Sequence, residues 1–299
     1  MKGNDKMKKM FGVVPPLVTA FKENGELDEN AQKIIVSFLK EKVHGLFVCG
    51  SYGNGPLMNV EERKRVFEIT TKEVNDKIPV IAHVGTTNSR DSIILAQHAE
   101  KHGADRVAAV SPYYYHHNEE SILYYFSELV KAVEIPVYVY NNPRTVGYNI
   151  DDILALKLAD VGVKGIKDSS FDIMMFMNYL RKNPENFDVV LGSEALWLSA
   201  VALGAQAFIP GLGNAFPEIC IDLFRTGING DIVKCREIQK KVNALRDLMY
   251  SAGSTIVAVY AMLELRGIVK TYPRSPFIQM KFEEKNKFKN KLKEFNILE

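Results

Sequence analysis

Short apolar runs alternate with longer amphipathic stretches along most of the chain, with a repeat of roughly 25–30 residues. The runs cover residues 12–21, 45–50, 79–85, 106–112, 136–140, 163–167, 187–192 and 205–210. They are rich in Val, Ile and Tyr, too short for helices and bounded by Gly or Pro, which predicts strands. Between them, residues 28–43, 60–74, 89–102, 119–133, 150–159, 173–182, 194–203 and 217–226 carry a helical pattern. In the first of these, Ala31, Ile34, Ile35, Phe38 and Leu39 form one stripe. Asn59 before Val-Glu-Glu, Ser89 before Arg-Asp and Asn118 before Glu-Glu offer N-caps followed by early acids. Gly103 and Gly204 stand where helix ends favour a left-handed residue.

Strand–helix alternation predicts an α/β fold with a parallel sheet. Eight units in about 220 residues predict a closed (β/α)8 TIM barrel rather than an open doubly wound sheet. No Gly-x-Gly-x-x-Gly follows the first strand, which argues against the open alternative. The barrel is assigned residues 1–230. Residues 231–299 are expected to form a C-terminal helical extension, with helices over 231–251, 255–268 and 281–298, packed on the barrel or on a partner subunit.

Composition narrows the classes. Of 299 residues, 46% are hydrophobic and 25% charged, enough for a sizeable core and unlike a disordered or collagen-like chain. Lys and Arg number 38 against 36 Asp and Glu, a net charge of +2, so neither nucleic acid nor an anionic membrane is expected as a partner. Three cysteines, Cys49, Cys220 and Cys235, make no disulfide framework and read as reduced thiols. Residues 1–10 hold four lysines without a following apolar h-region, and no apolar stretch reaches 18 residues. A cytoplasmic location is the expectation.

Active sites of (β/α)8 barrels lie at the C-terminal ends of the strands. Lys167 ends one such strand. Alternation puts Gly165 and Lys167 on one face and Ile166 on the other. If Ile166 packs against the helices, Lys167 points into the barrel near its top. Desolvation there lowers an amine's pKa, and a neutral amine can attack a carbonyl to form a Schiff base. The alternative on position alone is a lysine that pairs with Asp168 or binds phosphate. Tyr140 ends the fifth strand, with Tyr138 on the same face. A phenol beside such a lysine can move protons, or it can fill the barrel with its hydroxyl bonded to backbone. Residues 50–55 form a Gly-rich turn whose successive N–H groups suit a small anion such as carboxylate, and no Walker A Lys-Ser/Thr follows.

Metal chemistry finds less support. His98 and His102 lie i, i+4 on a helix, but the acid between them, Glu100, is not where a zinc protease needs it. They read as half-buried or solvated. His116 and His117 are adjacent and point apart. With no His/Asp/Glu cluster at the strand ends, a metal-dependent aldolase is disfavoured. Cys49 has no evident His partner and reads as a small buried hydrophobe.

Together, Gly50-Ser51-x-Gly53, Pro112-Tyr113-Tyr114, Tyr140-Asn141-x-Pro143 and Gly165-Ile166-Lys167-Asp168 resemble the dihydrodipicolinate synthase / N-acetylneuraminate lyase family of pyruvate-dependent class I aldolases. The resemblance runs from about residue 12 to about residue 214, with a matching helical extension. It implies that Lys167 forms a Schiff base with the C2 carbonyl of pyruvate, that Tyr140 relays protons, and that the Ser51 hydroxyl joins the relay. Tyr114 matches a tyrosine inserted from a neighbouring subunit, which implies a tight dimer within a homotetramer. The Ser51–Tyr52 backbone matches the pyruvate carboxylate site, and Ile209 a residue whose carbonyl faces the pyruvyl group. Gly53, Asn54 and Gly192 are grouped with the substrate-binding residues. No cofactor and no metal is implied, and the partners are pyruvate with an aldehyde, or a 2-keto-3-deoxy acid.

Within the family the motifs diverge. Dihydrodipicolinate synthases usually read Gly-Thr-Thr-Gly-Glu, where this chain has Gly50-Ser51-Tyr52-Gly53-Asn54. Their arginine five residues after the relay tyrosine, which grips the aldehyde substrate's carboxylate, is Thr145 here, with Arg144 one residue early. Gly53-x-Gly55-Pro56-x-Met58-x-x-Glu61 resembles 2-keto-3-deoxygluconate aldolases of the archaeal type. Such enzymes bind a polyhydroxy chain, for which Thr145, Ser169 and Glu194 could supply hydrogen bonds. Ser193-Glu194 can equally be an N-cap with an early acid. Three functions stand: an aldolase for a 2-keto-3-deoxy sugar acid, dihydrodipicolinate synthase, and a non-catalytic keto-acid-binding member.

Overall fold

The computed structural model describes residues 8–298. Residues 1–7, with two of the N-terminal lysines, and residue 299 lie outside the described residues. Eight strands follow in order: β1 (Gly12–Val13), β2 (Leu46–Val48), β3 (Val80–His83), β4 (Arg106–Val110), β5 (Val137–Asn141), β6 (Gly165–Asp168), β7 (Asp188–Leu191) and β8 (Ala207–Phe208). Their order in the sheet is β1-β8-β7-β6-β5-β4-β3-β2, every pair parallel. The ring closes just past β1, where Leu17 N donates to Phe47 O and Phe47 N to Pro15 O. This is the closed (β/α)8 barrel. The first apolar run gives only a two-residue strand because Pro15 and Pro16 have no N–H for a ladder.

The helices are α1 (Glu29–Lys40), α2 (Val60–Val74), α3 (Ser89–Lys101), α4 (Glu119–Ala132), α5 (Pro143–Val146), α6 (Asp152–Asp160), α7 (Ile173–Lys182), α8 (Trp197–Ala202), α9 (Pro217–Ile228), α10 (Ile232–Ser251), α11 (Thr255–Leu265) and α12 (Phe282–Glu294). Asn59 and Glu62 form a capping box on α2, and Asn118 accepts from Ser121 N at the start of α4. At α3 the cap is Asn88, not Ser89: its side chain accepts from Asp91 N, and Ser89 is the first helical residue. The helix expected over 194–203 is broken into a 3-10 turn (Glu194–Leu196) and α8. The cause is Gln239 of α10. Its side-chain amide accepts from Leu198 N at 3.0 Å and donates to Glu194 O at 2.9 Å, inserted where a continuous helix would bond those two groups directly. The short α5, opened by Pro143 at its first turn, has no counterpart in the periodicity.

Alternation along the strands separates two cores. Phe47, Ile81, Ala108, Val110, Tyr138, Tyr140, Val190, Ala207 and Ile209 fill the barrel, with Met10 and Val14. Val48, Ala82, Val107, Val139, Ile166 and Leu191 point outward into the layer under the helices. That outer layer continues without a break into the C-terminal helices through Val242, Leu245, Met249, Val259, Leu263, Phe288 and Leu292. Two polar ties fix the extension on the barrel: the Tyr260 hydroxyl donates to Thr19 O at 2.7 Å, and Arg274 grips Glu62 through two 2.7 Å bonds. Among the described residues no single helix is long and apolar enough to cross a membrane. All three cysteines are buried and free.

Candidate active site

Lys167 is where alternation puts it. Ile166 packs outward and Lys167 points into the barrel near its C-terminal end, 3% exposed. Register places it beside Tyr140 on β5 and Val190 on β7. Its Nζ lies 3.7 Å from the Tyr140 ring centroid and 3.9 Å from that of Phe47. Among the described residues no carboxylate comes within ion-pair distance of it; Asp168, the partner considered above, faces the other way and accepts from Asn141 Nδ2 and from Ser170. Burial without a counter-charge holds the Lys167 amine well below the ordinary lysine pKa. The residue is therefore built as a neutral amine rather than as half of a salt bridge.

The Tyr140 hydroxyl accepts from Asn142 Nδ2 at 3.1 Å, and the same amide reaches Ser51 Oγ at 3.4 Å. Burial pushes the phenol's pKa up, opposed by hydrogen bonds with Ser169, Ser51 and Asn142. It stays protonated at neutral pH and sits in a short hydrogen-bond network with Asn142 and Ser51. Ser169 also donates to Gly192 O at 3.4 Å, and Gly192 is required at its position because an added Cβ would fall 2.0 Å from Ser169 Oγ. Ile209 lies in the barrel interior beside these residues. Gly53 accepts at its carbonyl from Thr19 Oγ1 at 2.7 Å, which pins the loop after β2.

Four expected residues sit differently. Asn54 is buried in a left-handed backbone, donates to Tyr52 O and accepts from Arg274 N, so it braces the loop and does not face the mouth. Thr145 is exposed and spends its hydroxyl on Asn142 O at 3.1 Å. The exposed Arg144 lies over the Phe171 ring at 4.5 Å. Glu194 is fully buried: Oε1 is 3.0 Å from Arg246 Nη1 and accepts from Leu212 N, while Oε2 has no hydrogen-bond partner. Ser193 does cap the turn, accepting from Ala195 N at 3.2 Å. The Tyr52 side chain crosses to Gly211, where an added Cβ would fall 2.4 Å from its hydroxyl, and the field of Glu194 adds to burial in raising its pKa. Tyr114 is 86% exposed and holds a left-handed backbone, φ 82°.

The sequence reading missed Asn142, His83 and Arg63. His83 sits edge-on to Tyr140 with ring centroids 5.8 Å apart. Its Nδ1 donates to Cys49 O at 3.1 Å and its Nε2 accepts from Val110 N at 3.3 Å, so it is the neutral tautomer. Burial, with the Arg63 charge beside it, holds its pKa well below the ordinary value. Arg63 reaches under the site from α2 and donates to Gly85 O and His83 O. Cys49 is inert: burial pushes its thiol up to about 11. Only Asn142 carried a usable signal, as the unread position inside Tyr140-Asn141-x-Pro143.

A barrel that buries an amine at its sixth strand beside a hydrogen-bonded phenol at its fifth has the form of a lyase site. The chain matches the dihydrodipicolinate synthetase family over residues 9–295 and belongs to it. It is 30% identical to 4-hydroxy-tetrahydrodipicolinate synthase of Methanopyrus kandleri over 291 residues, 96% of this chain and 97% of that one. It is 29% identical over 289 residues to the Escherichia coli protein named "Probable 2-dehydro-3-deoxy-D-pentonate aldolase YjhH", 94% of this chain and 96% of that one. Among solved structures, Escherichia coli YagE, a member of the same family in complex with pyruvate, superposes with a TM-score of 0.91 at 26% identity, over 96% of this chain and 99% of that one. The chain is a class I aldolase of this family.

Proposed function

We propose that the chain uses Lys167 to form a Schiff base with pyruvate and cleaves or forms a 2-keto-3-deoxy sugar acid. The observation that carries this reading is the Lys167 amine, buried without a carboxylate partner among the described residues and 3.7 Å from the centroid of the Tyr140 ring. The amine adds to the C2 ketone, Tyr140 gives its proton to the departing oxygen, and water leaves as a protonated imine forms. That imine is an electron sink, so the adjacent methyl passes a proton back to the Tyr140 phenolate and becomes an enamine. The enamine carbon adds to the aldehyde carbon while Tyr140 donates its proton to the aldehyde oxygen. Water then releases the product from Lys167. Cleavage runs the same steps backward, with Tyr140 taking the hydroxyl proton. The proton set free when water releases the product returns to Tyr140 through the Ser51 hydroxyl, while Asn142 Nδ2 holds both hydroxyls in place. No cofactor enters this scheme.

The groups closest to the reacting phenol, Ser51, Asn142 and Ser169, are neutral hydrogen-bonding side chains. That chemistry suits a hydroxylated chain better than a second carboxylate. A second reading, condensation of pyruvate with aspartate semialdehyde, is favoured by Arg144, which has no acidic partner among the described residues and could swing from Phe171 to a carboxylate. Pyruvate release from a panel of keto-deoxy acids, run beside the semialdehyde condensation, distinguishes the two. Arg144→Ala that abolishes condensation but leaves borohydride trapping of pyruvate intact would select the second. No adduct on Lys167 in either assay would leave a non-catalytic keto-acid binder.

A homotetramer is the proposed assembly. An exposed tyrosine held in a left-handed backbone is costly for a free monomer, and insertion of Tyr114 into a neighbouring subunit supplies the reason for it. The buried free cysteines fit a reducing cytoplasm.

A further inference from the structure

Away from the barrel mouth, α2 and α3 lie side by side and bring Glu68, His98 and His102 together. His98 Nε2 is 2.9 Å from Glu68 Oε1, and His102 Nε2 is 3.9 Å from the same oxygen. The two imidazoles stack with ring centroids 4.0 Å apart, as residues i and i+4 of one helix can. Ligand atoms of all three residues lie within 4.8 Å of one another, and among the described residues this is the one group of three or more His, Cys, Asp or Glu that does so. The histidine pair lacked a correctly spaced acid in the sequence. The acid arrives from the neighbouring helix, 30 residues earlier.

The surroundings fix which atoms face the centre. His102 Nδ1 is 2.8 Å from the His98 backbone oxygen. A carbonyl only accepts, so Nδ1 carries the hydrogen and Nε2 is the nitrogen turned toward Glu68. Glu68 Oε2 is held by Arg65 at 3.3 Å, which leaves Oε1 to the two rings. Arg65 is itself occupied by Glu29 through two 2.7 Å bonds, so its charge is offset.

Two imidazole nitrogens and one carboxylate oxygen are the donor set of a borderline divalent metal. The bond from His102 Nδ1 to a carbonyl is the kind of outer contact that orients a ligating ring. The side chains are one-seventh to one-third exposed, so the ligands are held while one face stays open. That face meets a cleft of about 670 Å³ lined by Glu68 and His102, with room for water as the remaining ligand. We propose that Glu68, His98 and His102 bind one divalent cation of the zinc class, which staples α2 to α3.

The test is a calorimetric titration of the untagged full chain with zinc chloride, repeated with cobalt, nickel and magnesium chlorides. One zinc ion per chain is expected, with a dissociation constant of about micromolar order, and a matching visible absorption from cobalt. Magnesium, which prefers oxygen ligands, gives no heat. His98→Ala and His102→Ala each weaken zinc binding by about 10-fold or more and remove the rise in Tm that excess zinc gives the parent. Glu68→Gln, nearly isosteric, weakens it too and serves if either alanine variant fails to fold. His116→Ala changes nothing. Absence of zinc binding up to about 1 mM, or binding of equal strength in the parent and in both histidine variants, overturns the proposal.

Discussion

The two ends of the barrel each bury a basic side chain against a tyrosine of β5, and they treat it in opposite ways. At the N-terminal end, Arg106 stands over Tyr138, 5.3 Å from the ring centroid. It donates to the Tyr138 hydroxyl at 3.0 Å, that hydroxyl donates to Asp188 Oδ2 at 2.8 Å, and Asp188 lies 3.8 Å from the guanidinium. Met10 N adds a third contact to the same carboxylate oxygen. At the C-terminal end, two residues along the strand, Lys167 stands over Tyr140 and no carboxylate among the described residues answers it. A guanidinium cannot shed its proton, so burial demands a partner. An amine can shed its proton, so burial without a partner makes a nucleophile. Even Arg63, buried near the reactive end, is met by two backbone carbonyls. One end is a lock and the other is a reagent.

Substitutions at the paired positions can break this contrast. Lys167→Met should lower turnover by roughly 10⁴-fold or more and abolish borohydride trapping with pyruvate. Its Tm should hold or rise, because a buried amine is exchanged for an apolar side chain of similar length; a large drop in Tm would mean the lysine is structural. In the parent, trapping should hold its plateau well below the pH at which an exposed lysine loses its proton, and fall only on the acid side, where the amine becomes charged.

Tyr140→Phe should slow turnover by roughly 10²–10⁴-fold with the fold intact, and an unchanged rate would remove the phenol from the reaction. Asp188→Ala, at the opposite end, should cost about 3–5 kcal/mol in urea unfolding because it leaves Arg106 buried and unpaired. The molecules that stay folded should keep their catalytic rate. Tyr138→Phe should cost about 1–3 kcal/mol for the hydroxyl lost between Arg106 and Asp188, and change turnover little. If instead Tyr138→Phe silences the enzyme, the division between the two ends is wrong.

The smallest effect concerns Asp168. Burial raises its carboxyl from 3.8 to about 6. The folded chain therefore holds this proton more tightly than the unfolded one. The group's contribution favours folding below about pH 4 and is lost as pH rises through about 6. Asp168→Asn should flatten that part of the profile, read as the difference between urea midpoints at acid and neutral pH.

The strand–helix beat, the inward face of β6 and the terminal position of Tyr140 were legible because they depend on neighbours within a few residues. Local chemistry also foretold the caps at Asn59 and Asn118, though at α3 it chose Ser89 and the structure chose Asn88. The break before α8 was not legible, since it comes from Gln239, 41 residues beyond Leu198. Nor was the fate of Glu194, which waits on Arg246, or the reach of Asn142 to Ser51 across 91 residues.

Period and propensity act over one or two turns of chain, and so the sequence by itself determined the number of strands, the parallel barrel and which residue types crown it. Only the tertiary structure decided what each side chain faces: that Lys167 meets no carboxylate among the described residues, that His83 is neutral, and that an acid from one helix joins two histidines of the next. Charge state is a property of surroundings, and surroundings are assembled from segments far apart in sequence.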